Sequence, residues 1–414
     1  MILLGLLVCV CPLRAQQPAD GDSDHQTIQM LLKRVEQLEA RVAQLETGKP
    51  AVAPAAVPAE VNGQMMPAAE QAENEAGSST HGMSDRMDTS NTLMRIRGFG
   101  DVTFHGDDRK GDTTSFTLGQ LNLFVTSDIS EKFRLLSEIV FEADDHNNVG
   151  VDIERLLLQY SHSDYLNIGV GRYHTAIGYY NTAYHHSTWL QTATGRPFLF
   201  QFEDDGGILP IHNVGVSASG LVPGSGKLQL HYVAEVGNGR TSRSPLDEPV
   251  QNVVDENNTK SVNFGVFATP DAVRGLQLGF SIYHDRLQPA RQPRIGETIF
   301  AAHAVIVRPS FEWLNEVLDI RHAPDGSSRV FNTPGFYSQI SKRWGSYRPY
   351  FRYQYVNGSD TEPVFPDVGL RHGPSAGLRF DASESVALKL QYDRTFLRHG
   401  DAYNSLALQM GFTF

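Results

Sequence analysis

Two segments near the end of the chain, VALKLQYD (386–393) and SLALQMGFTF (405–414), decide the fold. Val386, Leu388, Leu390 and Tyr392 share one face, opposite Ala387, Lys389, Gln391 and Asp393. Leu406, Leu408, Met410, Phe412 and Phe414 likewise oppose Ser405, Ala407, Gln409, Gly411 and Thr413. A period of two is the signature of a strand with one apolar face. The same pattern runs through LQLGFSIY (276–283) and, working outward, through segments of about ten residues back to position 93. They fall at 93–105, 115–127, 132–143, 151–161, 166–174, 213–221, 227–237, 261–269, 276–286, 297–308, 311–321, 330–343, 347–357, 370–382, 386–397 and 402–414. Their connections alternate in length. Short ones lie at 128–131, 161–165, 222–226, 270–275, 309–310, 344–346 and 382–385, whereas 175–212 and 238–260 are long. Short turns at one rim and long loops at the other describe an even-stranded antiparallel transmembrane β-barrel. A soluble sandwich has no reason to alternate in this way.

Composition agrees by exclusion. The 414 residues carry a net charge of −12, against the basic footprint of a nucleic-acid binder, so no nucleic-acid partner is expected. A mean hydropathy of −0.30 and the lack of long apolar runs exclude a helical membrane protein, but not a barrel whose strands average to polar. The acidic excess divides equally, six before residue 93 and six after it.

Residues 1–15 hold a short apolar run ending at Arg14-Ala15 and read as a secretory signal peptide. Both cysteines, Cys9 and Cys11, lie inside that run, so a processed chain has no thiol for disulfides, metal or nucleophilic chemistry. Ile28, Leu31, Val35, Leu38, Val42 and Leu45 then repeat with heptad spacing and predict a coiled coil over 25–47. Arg34–Glu39 and Arg41–Glu46 share the Arg–apolar–x–x–apolar–Glu pattern of short trimeric coiled coils. Residues 48–92, rich in Ala, Pro, Glu and Ser, read as a disordered linker, with the barrel at 93–414. The methionines and His81 of the linker are too loosely spaced for a metal site. No metal or cofactor is expected.

The barrel resembles the trimeric sixteen-stranded porins of Gram-negative outer membranes. With its N-terminal coiled coil it is most similar to the phosphate-selective porin O/P superfamily. The terminal LQMGFTF (408–414), ending in Phe414, resembles the strand read by the barrel-insertion machinery, with Gln409 where a glycine is usual. Gly171-Arg172-Tyr173 followed by Ile177-Gly178 is similar to the stretch that precedes the long loop of these porins. The resemblance implies an outer-membrane channel for passive diffusion of small hydrophilic solutes or ions, phosphate among the candidates. It implies a homotrimer among outer-membrane lipids. Both barrel termini and the coiled coil would then lie on the periplasmic side, where peptidoglycan is a further candidate partner.

In such porins the loop after the fifth strand folds into the lumen. Here it carries Tyr179, Tyr180, His185, His186, Trp189 and Arg196, and the acidic run Glu203, Asp204 and Asp205. Alternation turns Arg95, Arg97, Arg155, Arg343, Arg348, Arg352, Arg371, Arg379 and Lys389 toward the lumen. All but Arg155 would form one basic wall opposite the acidic loop segment, setting a transverse field across the passage. The plainer expectation is that these side chains pair with lumen acids such as Asp101, Glu138, Glu142, Asp381 and Asp393. Segments 297–308 and 311–321 have no single apolar face, and the preferred assignment turns Glu316 toward lipid. Pro334, Pro349 and Pro374 are expected at strand ends or bulges, because a closed barrel has no free edge. No enzyme activity is expected, although His185-His186-Ser187 offers a base and a nucleophile by composition. Two alternatives therefore stand beside the channel: a barrel hydrolase and a non-conducting outer-membrane tether.

Overall fold

A computed structural model describes residues 93–143, 148–184, 188–202, 206–241, 254–290 and 292–414. The signal peptide, coiled coil and linker assigned from sequence lie outside the described residues. Sixteen strands follow one another: β1 (Leu93–Asp107), β2 (Ser115–Asp128), β3 (Phe133–Ala143), β4 (Val149–Ser163), β5 (Leu166–His174), β6 (His212–Leu221), β7 (Leu230–Gly237) and β8 (Ser261–Ala268). The second half comprises β9 (Leu276–Leu287), β10 (Ile295–Arg308), β11 (Phe311–Pro324), β12 (Phe331–Lys342), β13 (Tyr347–Asn357), β14 (Leu370–Asp381), β15 (Val386–Leu397) and β16 (Tyr403–Thr413). Each strand pairs antiparallel with the next, and β16 returns to β1, which closes the sheet into a barrel. Closure satisfies every sheet edge, the condition for a strand structure to stand in hydrocarbon.

Closure is carried by the pairing of Phe99 with Thr413 through Asp107 with Ser405. Beyond that ladder, Gly98 N–H donates to the Phe414 carbonyl at 2.8 Å and Phe414 N–H donates to the Gly98 carbonyl at 2.9 Å. A Cβ on Gly98 would stand 2.3 Å from the Phe414 ring, so the terminal aromatic lies where a side chain would otherwise be.

The outward face is an apolar belt. Leu278, Phe280, Ile282, Leu388, Leu390, Tyr392, Leu406, Leu408 and Met410 are all exposed on it. The strands that sequence left undecided now have a direction. Phe300 of β10 and Trp313 and Val317 of β11 are exposed, while Ile299, Ala301, Val305, Leu314, Leu318 and Ile320 are buried inside. Glu316, read from sequence as lipid-facing, is buried on the lumen side, because this stretch of inner wall is itself apolar and gave alternation nothing to contrast. Its neighbour Asn315 takes the outward position and donates to the Ala304 carbonyl at 3.2 Å while accepting from Ser338 Oγ at 2.7 Å.

The three prolines lie within strands, each paired on one side and at a gap in the ladder on the other. The β12–β13 ladder spans Gly335–Ser341 against Tyr350–Val356, leaving Pro334 and Pro349 just outside it. The β14–β15 pairing is interrupted between His372 and Ser375, at Pro374. A missing N–H costs least where no partner is waiting.

Candidate functional site

The connection from β5 to β6, residues 175–211, turns into the barrel, and its described residues include a short helix, α1 (Tyr180–Ala183), and a 3-10 turn at Phe198–Phe200. Its first half presents backbone N–H groups to carboxylates of the wall. Glu235 accepts from Ala176 N–H at 3.0 Å and from Asn263 Nδ2 at 2.7 Å. Glu316 accepts from Tyr179 N–H at 2.6 Å, Tyr180 N–H at 2.9 Å and the Tyr337 hydroxyl at 2.6 Å. Gly178, at a φ of +70°, leads into this contact, and a Cβ there would stand 2.3 Å from Glu316 Oε2. Glu312, on the same face of β11, accepts from the Tyr184 hydroxyl at 2.9 Å, Thr192 Oγ1 at 3.3 Å and Gln339 Nε2 at 2.8 Å. Charge-assisted hydrogen bonds of this kind are each worth about 1.5–3 kcal/mol.

The returning half presents carbonyls, and the wall answers with cations. Lys389 Nζ donates to the carbonyls of Thr188 at 2.5 Å and Ala193 at 3.0 Å, and to Gln409 Oε1 at 3.0 Å. Arg379 donates to the carbonyls of Trp189 at 2.7 Å and Gln191 at 2.9 Å, and to Asp381 at 2.7 Å. Arg352 reaches the Gly195 carbonyl at 2.8 Å, and Arg371 reaches Gln201 Oε1 at 2.8 Å while lying over the Phe198 ring. Amide side chains fill the intervals: Thr194 N–H donates to Gln391 Oε1 at 3.2 Å and Phe198 N–H to Gln354 Oε1 at 3.0 Å. Arg196 stays within the loop, donating to the Phe200 carbonyl with its guanidinium over the Phe202 ring.

Between the two halves lies the core. Tyr180, Tyr184, Leu199, Phe200, Ile208 and Leu209 pack with Ile299, Leu314, Leu318 and Tyr337 of the inner wall. Full burial of each such side chain stabilises by about 1.5–3 kcal/mol, so the loop is held by packing as well as by polar contacts. Burial pushes the hydroxyls of Tyr179 and Tyr180 up to about 12, and the loop presents neutral phenols at any ordinary pH. At the long-loop rim the fully buried Arg240 donates to the Ile208 carbonyl at 2.8 Å, pairs with Glu297 and lies over the Phe365 ring.

The partners of residues 176–201 come from every strand of a continuous run. Ala176, Gly178, Tyr179 and Tyr180 meet Glu235 and Asn263 (β7, β8), Ser281 (β9), His303 (β10), Glu316 (β11) and Tyr337 (β12). The return meets Arg352 (β13), Arg379 (β14), Lys389 (β15) and Gln409 (β16), and the Trp189 ring lies 6.2 Å from Phe99 of β1. The inner faces of β2 to β6 carry paired charges, with the loop touching them only at the rim, where His174 Nδ1 meets the Asn181 carbonyl at 3.0 Å and Phe202 stacks on His212. Arg155 meets Glu138 at 2.6 Å, Arg172 meets Glu154 at 3.5 Å, His212 meets Glu154 at 2.9 Å, and Gln120 donates to Glu142 at 2.7 Å.

The basic residues singled out by alternation thus have distinct surroundings. Arg352, Arg371, Arg379 and Lys389 hold the loop. Arg343 follows β12, 3.3 Å from Asp381, and Arg348 donates to the Pro309 carbonyl at 2.8 Å. Arg95 and Arg97 are exposed near the start of β1, Arg95 at 3.9 Å from Asp128. Tyr179, Tyr180, Trp189 and Arg196 belong to the loop as described. His185, His186 and Ser187, and the acidic run Glu203, Asp204 and Asp205, lie outside the described residues. Glu235, Glu312, Glu316, Gln354, Gln391 and Gln409 were not singled out by sequence. Their signal was present for Glu312 and Glu316, which share a parity with His322, but the intervening Leu314 and Leu318 disguised the face. Among the described residues no cluster of His, Asp or Glu is arranged to hold a metal ion.

No family model matches the chain, and no curated protein matches it. Solved structures do. An anion-selective porin from Comamonas acidovorans is similar with a TM-score of 0.56 at 10% identity, over 78% of this chain and 100% of that one. The outer-membrane channel DcaP of Acinetobacter baumannii gives 0.52 at 11% identity, over 78% and 97%. OmpF of Salmonella typhi, in complex with daunomycin, gives 0.53 at 10% identity, over the same shares. At such identity the likeness is one of architecture: this chain has the fold of the outer-membrane porins.

Proposed function

We propose that the protein is an outer-membrane porin, a water-filled channel for passive diffusion of small hydrophilic solutes and ions. The observation that carries this reading is a loop fixed across the inside of a closed barrel, lining the inner wall from β7 round to β1. Solutes pass through the part of the lumen that the loop leaves open. An apolar outer belt suits a bilayer, and the short-turn rim faces the periplasm. There the N-terminal segment forms its coiled coil after signal cleavage, in a homotrimer. Phe414 serves as the insertion signal. In this reading the basic wall splits into two roles. Arg352, Arg371, Arg379 and Lys389 set the width of the channel by holding the loop, and Arg343, Arg348 and Arg379 bias its lower mouth toward anions.

Planar-bilayer recording of the purified full-length protein tests the reading. Stepwise channel insertions are expected, with a reversal potential in a KCl gradient of the sign for modest anion preference. A folded protein that inserts and conducts nothing would leave the tether reading in its place.

A further inference from the structure

Strand register sets three rows of lumen side chains one below another at the first half of the loop. In the upper row Glu235 stands opposite Asn263, and both hold the backbone of Ala176. The middle row runs Asn167, Ser219, Val233, Gly265 and Ser281 across β5 to β9, each opposite the next. In the row nearest the short turns His231 stands opposite Phe267, Phe267 opposite Gly279, and Gly279 opposite His303. His231 and Phe267 stack with centroids 4.8 Å apart and rings 9° from parallel. The His303 ring lies over Gly279, where a Cβ would stand 2.1 Å from it, and Gln277 Nε2 lies 3.2 Å from His303 Nε2. The middle and lower rows, with Tyr179 and Thr182 of the loop, bound a cavity of about 800 Å³. Its described lining holds no lysine or arginine, and its one carboxylate is that of Asp164.

We propose that this recess is a subsite for a neutral sugar, one pyranose ring seated against Phe267 with its hydroxyls on Ser281 and Gln277. The inference rests on the channel reading and names a solute class that the channel holds. Because Phe267 faces Gly279, Ser281 and Gln277 are its two diagonal neighbours on β9, each about 7–8 Å away at the backbone. A single six-membered ring bridges such a gap on either side. Gly279 adds no side chain of its own between them. A pyranose carries C–H groups on its faces and hydroxyls round its rim. The negative face of an aromatic ring attracts the C–H groups, while a hydroxyl and a primary amide both donate to and accept from the hydroxyls. A small anion finds no cation in this lining, and a bare arene leaves the amide and hydroxyl without partners. Neutral hydrogen bonds also release their guest, as passage through a channel requires.

The test is block of KCl current through the full-length protein in planar bilayers. The probes are glucose, its open-chain reduction product sorbitol, and benzamide, which has a ring and no hydroxyls. Sorbitol at equal concentration also corrects for the viscosity of the solution. Half-block by glucose is expected at a concentration at least tenfold below that of the other two. Phe267→Ala and Gln277→Leu should each raise the glucose value about tenfold and leave the sorbitol value where it was. Sorbitol or benzamide blocking as well as glucose would overturn the subsite, and the parent protein alone decides that point. Unchanged glucose block in either variant would overturn it too. Steady conductance with no selective block sinks the subsite alone, whereas an absence of any conductance sinks the channel reading beneath it.

Discussion

Gly178 shows how much of the proposed constriction hangs on one position. Its φ of +70° is open to glycine and strained for other residues, and the space a Cβ would need is held by the Glu316 carboxylate. Gly178→Ala therefore carries backbone strain of about 1–3 kcal/mol and pushes aside the acceptor for Tyr179 and Tyr180 N–H. The barrel itself, closed elsewhere, remains folded. The expected outcome is a channel whose single-channel current is noisier and larger than that of the parent, with a loop newly open to limited proteolysis. Quiet records of unchanged amplitude would show that Glu316 does not hold the loop. The acid at 316 also marks where sequence reading stopped. Its lumen direction depends on Leu314, Leu318 and Ile320 being covered by Phe200 and Tyr180, residues more than a hundred positions away.

Among the elements, strands were legible and the loop path was not. A strand against lipid must place apolar side chains at every second position, so β9, β15 and β16 announced themselves, and their count and order follow locally from turns. Where the loop leans on the wall, both faces are apolar, and β10 and β11 lost their contrast. Lumen direction of Arg352, Arg379 and Lys389 could be read from parity, but not that they meet carbonyls rather than solute, which depends on residues 157 to 201 positions distant. The β1–β16 seam makes a prediction of its own. Gly98 accommodates the Phe414 ring, as an aromatic covers a bare glycine between paired strands. Gly98→Val should displace that ring and weaken closure, lowering by several-fold the fraction of protein that remains folded and heat-modifiable on a gel after refolding into detergent. Refolding yield equal to that of the parent would show that the packing is dispensable.

For the whole molecule, the loop divides the barrel wall into two parts. The eleven strands from β7 to β16 and on to β1 carry loop contacts on their inner faces, and β2 to β6 carry ion pairs there, with loop contacts confined to His174 and His212 at the rim. Amide exchange follows local opening, which buried contacts suppress. In detergent micelles β10 to β15 are expected to exchange at least tenfold more slowly than β3 to β5, measured by mass spectrometry on peptides. Uniform protection around the barrel would mean that the loop contributes nothing to its stability.

Such a wall is mechanically lopsided. A tube ribbed along most of its circumference and bare along the rest resists squeezing in one direction and yields in the other. Lateral pressure from the surrounding lipid falls equally on all sides, yet it flattens first the staves that the loop does not back. The cross-section of the barrel would then follow the tension of its membrane, with no moving part other than the wall.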